Sequence, residues 1–201
     1  MTTQRKADLL LVLITGFWGC SYYLSDLALE EMPPFALCAM RFLLAFALLG
    51  IALFPKLRHI NRKTLLWAVP AGLSLTLTYI GATGGLLYTS ISNAGFICSL
   101  PAVTTPLLTF LLYRKKPERR MLLCLALCTV GLGLLTLGND FRPAPGDLIC
   151  LLCALGYGIN LLVVEHAVRQ PEVDALQLGV FQQLVTGAAM LVLSLLFETP
   201  C

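Results

Sequence analysis

Charge is what this sequence has least of. Between Lys63 and Arg114 lie 50 consecutive residues without an Asp, Glu, Lys or Arg. Charged residues make up 12% of the chain, against about 25% in a soluble domain. That shortage excludes a water-soluble globular fold. The uncharged run is long enough for two helical crossings of a hydrocarbon core about 30 Å thick. With 58% hydrophobic residues and a mean hydropathy of +0.83, the chain reads as embedded in lipid.

Catalytic constellations are missing too. Of the two histidines, His59 falls in a basic loop and His166 near a helix end, neither beside a partnered Ser, Cys or carboxylate pair. There is no P-loop, HExxH or Rossmann glycine pattern, so neither an enzyme nor a cofactor is expected. The eight cysteines do not form a disulfide framework: Cys20, Cys38, Cys98, Cys124, Cys128 and Cys153 sit inside apolar runs, where Cys acts as a small hydrophobe. Cys150-Leu-Leu-Cys153 has the spacing of a redox or metal motif but lacks the His or further Cys that would complete one. Arg5-Lys6 followed by Leu9 to Ser25 has no small-x-small cleavage site after it and reads as a retained first helix.

What is present is a series of apolar segments. Charges, prolines and polar clusters delimit seven helices, at 7–29, 34–54, 64–87, 91–113, 119–138, 147–168 and 174–197. The expected fold class is an all-α membrane protein with seven transmembrane helices. Basic residues then alternate between loops. One side holds Arg5, Lys6, Lys56, Arg58, Arg62, Lys63, the cluster from Arg114 to Arg120, and Arg169; the other holds Arg142 among Asp26, Glu30, Glu31, Asp140 and Asp147. Basic loops stay in the cytoplasm, which puts the N-terminus inside. This placement also accounts for the net charge of +3, so no nucleic-acid partner is expected.

Residues 8–42 recur faintly at 147–181. Asp8 falls on Asp147, Trp18-Gly19 on Tyr157-Gly158, Asp26 on Glu165 and Phe42 on Phe181. Five spans separate the two starts, so the second copy enters the membrane upside down, as in inverted-repeat transporters. The expected halves are residues 1–140, with five helices, and 141–201, with two helices of a partial second repeat. On this pattern about three helices are absent, which points to a truncated product or to a homodimer or complementing fragment as partner.

Several polar residues lie within the apolar spans. Arg41 is seven positions into the second helix, about 10 Å along its axis. A cation at that depth costs up to about 2.5–3.5 kcal/mol and faces protein or water. It either holds an anionic group of a substrate, pairs with Asp26 or Glu30, or snorkels outward; the ion pair is the simpler expectation. Thr15, Trp18, Tyr22 and Ser25 form a stripe on the first helix, and Cys153, Tyr157 and Asn160 another on the sixth. On the third helix Thr76, Tyr79 and Thr83 line one side, while Ser74, Thr78, Gly81 and Gly85 form a helix-packing face. Pro70, Pro101 and Pro106 interrupt apparent helices, and Gln182-Gln183 lie in the seventh. The candidate cavity lining is therefore Trp18, Tyr22, Arg41, Thr76, Tyr79, Thr83, Pro101, Tyr157, Asn160 and Gln182. Helix-to-helix hydrogen bonding is the competing role for the Ser, Thr, Asn and Gln residues.

Trp18-Gly19, Leu37 through Arg41-Phe42, Tyr88-Thr89-Ser90-x-Ser92-Asn93-Ala94 leading to Pro101, Gly131-x-Gly133-Leu134-Leu135, and Gly146-Asp147-Leu148 with Tyr157-Gly158 resemble the EamA family of the drug/metabolite transporter superfamily. The resemblance implies ten helices in two inverted five-helix halves and both termini in the cytoplasm. It further implies export of amino acids, other small metabolites or drugs from a bacterial plasma (inner) membrane by alternating access through a central cavity. The family's Gly-Glu after the fourth helix is replaced here by Tyr113-Arg114-Lys115-Lys116-Pro117, so no role of that Glu carries over. The expected partners are the lipid bilayer and a small-molecule substrate. A seven-helix receptor is the alternative by span count, disfavoured by the inside N-terminus; a non-transporting membrane fragment is the other.

Overall fold

A computed structural model describes residues 3–58, 60–113 and 145–198, with 122, 123, 126, 127 and 130 besides. The elements are α1 (Thr3–Leu29), α2 (Pro34–Ala52), α3 (Phe54–Leu57), α4 (Arg62–Leu86), α5 (Ile91–Cys98), α6 (Pro101–Tyr113), α7 (Pro145–Val168) and α8 (Ala175–Phe197). Among the described residues five spans, within α1, α2, α4, α7 and α8, are long and apolar enough to cross a membrane. The protein is an all-α membrane protein. The expected helix at 119–138 lies outside the described residues apart from the five isolated positions.

The helix ends follow local chemistry. Asn61 opens α4 by accepting the backbone N–H of Lys63, Ser90 opens α5 by accepting that of Asn93, and Asp174 opens α8 by accepting those of Leu176 and Gln177. Two expected helices are each divided in the structure. The segment 34–54 stops at Ala52 and restarts as α3, with Pro55 in its first turn. The segment 91–113 breaks at Ser99–Leu100, and Pro101 begins α6. Proline lacks an N–H and disfavours the helical conformation of the residue before it, so it starts a helix more readily than it continues one.

The centre of the bundle is α4. It runs antiparallel to α7 along a seam of small residues: a methyl group added to Gly81 would run into the Cys153 backbone, one on Gly85 into the Cys150 side chain, and one on Gly156 would sit 2.7 Å from Thr78 N. In lipid there is no hydrophobic drive between helices, so close backbone approach and packing supply the association. The Gly81-x-x-x-Gly85 face is thus the packing face that the spacing suggested. On its other flank α4 meets α8, where Gly72 leaves no room for a side chain against Val185. Cys38, Ala39 and Phe42 of α2 pack with Leu75 of α4 and Met190 of α8; a second cluster joins Ala68, Ala167, Val173 and Leu178. By contrast, α1 lies on the outside, with Leu10, Leu11, Val12, Phe17 and Leu24 each more than half exposed.

The two ends of the bundle are tied separately. At one end Lys63 pairs with Glu172, and Asn61 Nδ2 donates to the Glu172 carbonyl at 3.2 Å. There, too, Gln177 Nε2 donates to the Lys56 carbonyl at 2.7 Å. At the other end Thr89 donates to Asp147 at 2.6 Å, and Glu198 accepts the N–H groups of Phe35 and Ala36.

Candidate functional site

The polar residues that face inward between α1, α2 and α4 converge on Arg41. Its Nη1 donates to Ser25 Oγ and its Nη2 to Ser21 Oγ, each at 2.5 Å. The two serines lie one helical turn apart on α1, so both present their hydroxyls to the same face. Ser25 in turn donates to the Ser21 carbonyl at 2.6 Å. The expected ion pair is corrected here. Among the described residues the side-chain ion pairs are Lys63–Glu172 and Arg169–Glu165, and the guanidinium meets hydroxyls rather than Asp26 or Glu30. The reason is geometric: Ser21 and Ser25 occupy the stripe of α1 that faces α2, and Asp26 lies beside it.

Around Arg41 the wall is aromatic and small. α1 contributes Trp18, Ser21 and Ser25, and α4 contributes Tyr79, Ala82, Thr83 and Leu86, lining a cavity of about 10 Å³. That is room for about one water molecule. Trp18 stacks obliquely on Tyr157 of α7, with ring centroids 5.5 Å apart at 44°. The Tyr79 ring meets Phe42 edge-on at 4.7 Å, and Thr83 Oγ1 lies 3.3 Å from Cys38 Sγ. Arg41, Ser21 and Ser25 also border a second space, an open groove of about 360 Å³ between α1 and α2, walled by Phe17, Cys20, Leu24 and Leu37.

Of the candidate lining residues, Trp18, Arg41, Tyr79 and Thr83 share this pocket, and Tyr157 adjoins it through Trp18. Thr76, Asn160, Gln182 and Pro101 do not line it. Thr76 donates back to the Gly72 carbonyl at 2.9 Å within α4. Asn160 gives its amide to α4, donating to the Ala71 carbonyl at 2.8 Å and to Ser74 Oγ at 3.1 Å. Gln182 is half-buried on α8, its carbonyl accepting from Thr186, and Pro101 opens α6. Tyr22 falls outside the described side chains. Ser21 was missed by the reading of the stripe, although its spacing of four from Ser25 was the available signal.

The Cys150-Leu-Leu-Cys153 pair is less isolated than expected. α5 brings Cys98 within hydrogen-bonding reach of both thiols. Among the described residues no group of His, Cys, Asp and Glu has the makings of a metal site.

Comparison with known proteins agrees with this architecture. A protein of Archaeoglobus fulgidus described as an uncharacterized transporter is 32% identical over 163 residues, covering 81% of this chain and 50% of that protein. The chain therefore spans about half the length of this relative. A solved crystal structure shares the fold with a TM-score of 0.62 at 22% identity, over 91% of this chain and 68% of the other. Residues 5–137 match the EamA-like transporter family. With two-thirds of its length under that match, the chain belongs to the EamA-like transporter family.

Proposed function

We propose that this chain exports a small organic solute, a metabolite or amino acid, across the plasma membrane by alternating access, with its N-terminus in the cytoplasm. The solute site is where α1, α2 and α4 meet. The observation that carries this reading is Arg41. A cation seven residues into a membrane helix is costly unless it faces protein or water, and this one is turned to the Ser21 and Ser25 hydroxyls beside the rings of Trp18 and Tyr79.

In this reading residues 1–140 form one half, and 141–201 open an inverted second half, as the offset of Asp8 onto Asp147 and Phe42 onto Phe181 supports. Rocking one half against the other exposes the site to each side in turn. Because the chain spans about half the length of its transporter relative, further helices facing the site, from a complementing segment or a second copy, belong to this reading. The test is solute flux in proteoliposomes holding the chain alone or with a co-reconstituted complementing segment. Saturable flux is expected only with the added helices, and is lost on Trp18→Ala or Tyr79→Ala. No flux in either preparation would refute the reading.

A further inference from the structure

We propose that the ligand of this pocket is a small amphipathic carboxylate, its anionic end held by Arg41 and its apolar body lying in the groove between α1 and α2. This rests on the transport reading of the same site but is tested apart from it.

Three observations lead there. First, the guanidinium has no ion-pair partner among the described residues; what it meets are the neutral hydroxyls of Ser21 and Ser25. A cation in a low-dielectric setting gains most from an anion, and the planar guanidinium fork matches a carboxylate with two parallel hydrogen bonds. Second, volume decides where the rest of the ligand goes. The cavity beside Tyr79, about 10 Å³, has room for about one water, whereas the groove bordered by Arg41 between α1 and α2 offers about 360 Å³. Third, the groove walls are apolar apart from the two serines and Arg41: Phe17, Cys20 and Leu24 from α1 and Leu37 from α2. A site with one charged end and an otherwise apolar lining selects a molecule with the same division. Its size lies at the small end of ordinary organic-ligand pockets, about 300–1,000 Å³, which suits a single short chain or ring better than a two-chain lipid.

The experiment uses the full chain in phosphatidylcholine nanodiscs. The protein has two tryptophans; Trp67 lies against His166 away from the pocket, so Trp67→Phe leaves Trp18 as the reporter at the site. Octanoate is expected to shift Trp18 emission saturably, and octanamide, equal in length but uncharged, at least about tenfold more weakly. Arg41→Gln should weaken octanoate at least about tenfold, Arg41→Lys less, and the double change Ser21→Ala with Ser25→Ala by an intermediate factor. Circular dichroism melts establish that each variant is folded; if Arg41→Gln is not, Arg41→Lys and the serine pair carry the test. Equal binding of octanamide and octanoate, no saturable octanoate response, or unchanged affinity in the folded variants overturns the inference. So does loss of the octanoate response in phosphatidylglycerol nanodiscs, which would make a lipid headgroup the occupant. Octanoate binding without flux leaves this inference standing and removes transport; flux of a neutral solute without octanoate binding does the reverse.

Discussion

Glu198, the residue after α8, holds the first turn of α2: its Oε1 accepts the N–H of Phe35 at 2.7 Å, and its Oε2 that of Ala36 at 2.9 Å. The need arises from Pro33-Pro34, which begins the helix without a side-chain cap and leaves those N–H groups without a partner. A carboxylate there also faces the positive end of the helix dipole. Glu198→Gln is therefore expected to lower the unfolding free energy by about 1–2 kcal/mol, read as an earlier thermal transition in detergent. An unchanged transition would mean that the contact contributes nothing to stability.

The α4–α7 seam makes a sharper prediction. Gly81→Ala forces a methyl group onto the Cys153 backbone, which has no flexible end to move aside. The expected cost is about 1–3 kcal/mol or more. Gly84→Ala, three residues on, places its methyl 3.8 Å from Ile149 Cγ2, an ordinary contact, and should change stability by less than about 0.5 kcal/mol. Equal melting of the two variants would refute the seam.

Asn160 tests packing against recognition. Its amide is committed to Ala71 and Ser74, so Asn160→Ala should lower stability by about 0.6–2 kcal/mol. Octanoate affinity should be unchanged. A folded Asn160→Ala protein that melts like the parent but has lost ligand affinity would return this residue to the site.

The ties at the two ends predict a labelling pattern. In a cysteine-free background, Lys56→Cys and Glu172→Cys should react with an impermeant maleimide from one face of sealed vesicles, because Gln177, Lys63 and Asn61 gather those turns together. Glu31→Cys, in the α1–α2 turn, should react from the other. Labelling of positions 31 and 172 from the same side would contradict the antiparallel arrangement of α4 and α7.

Much of this architecture was legible in the residues. Apolar runs and their polar boundaries locate α1, α2, α4, α7 and α8 to within a few positions, and the Gly81-x-x-x-Gly85 spacing marks the α4 face that meets another helix. Legibility stops where the answer depends on which helix is next door. Arg41 was marked by its depth, but Asp26 and Ser25 are adjacent on α1, and only the rotation of that helix decides which of them it meets. The same holds for Asn160 and Thr76, whose polar stripes suit a cavity or a neighbour equally well until the neighbour is known. Cys98 lies 52 positions before Cys150, a separation that hides their proximity completely.

With glycine pressed against α7 on one flank and against α8 on the other, α4 has no slack in which to shear. Rocking of the two proposed halves must then pivot about these glycine contacts rather than slide along them. Among the described spans α1 is held differently, clasped chiefly by a guanidinium–serine clip and a tryptophan edge.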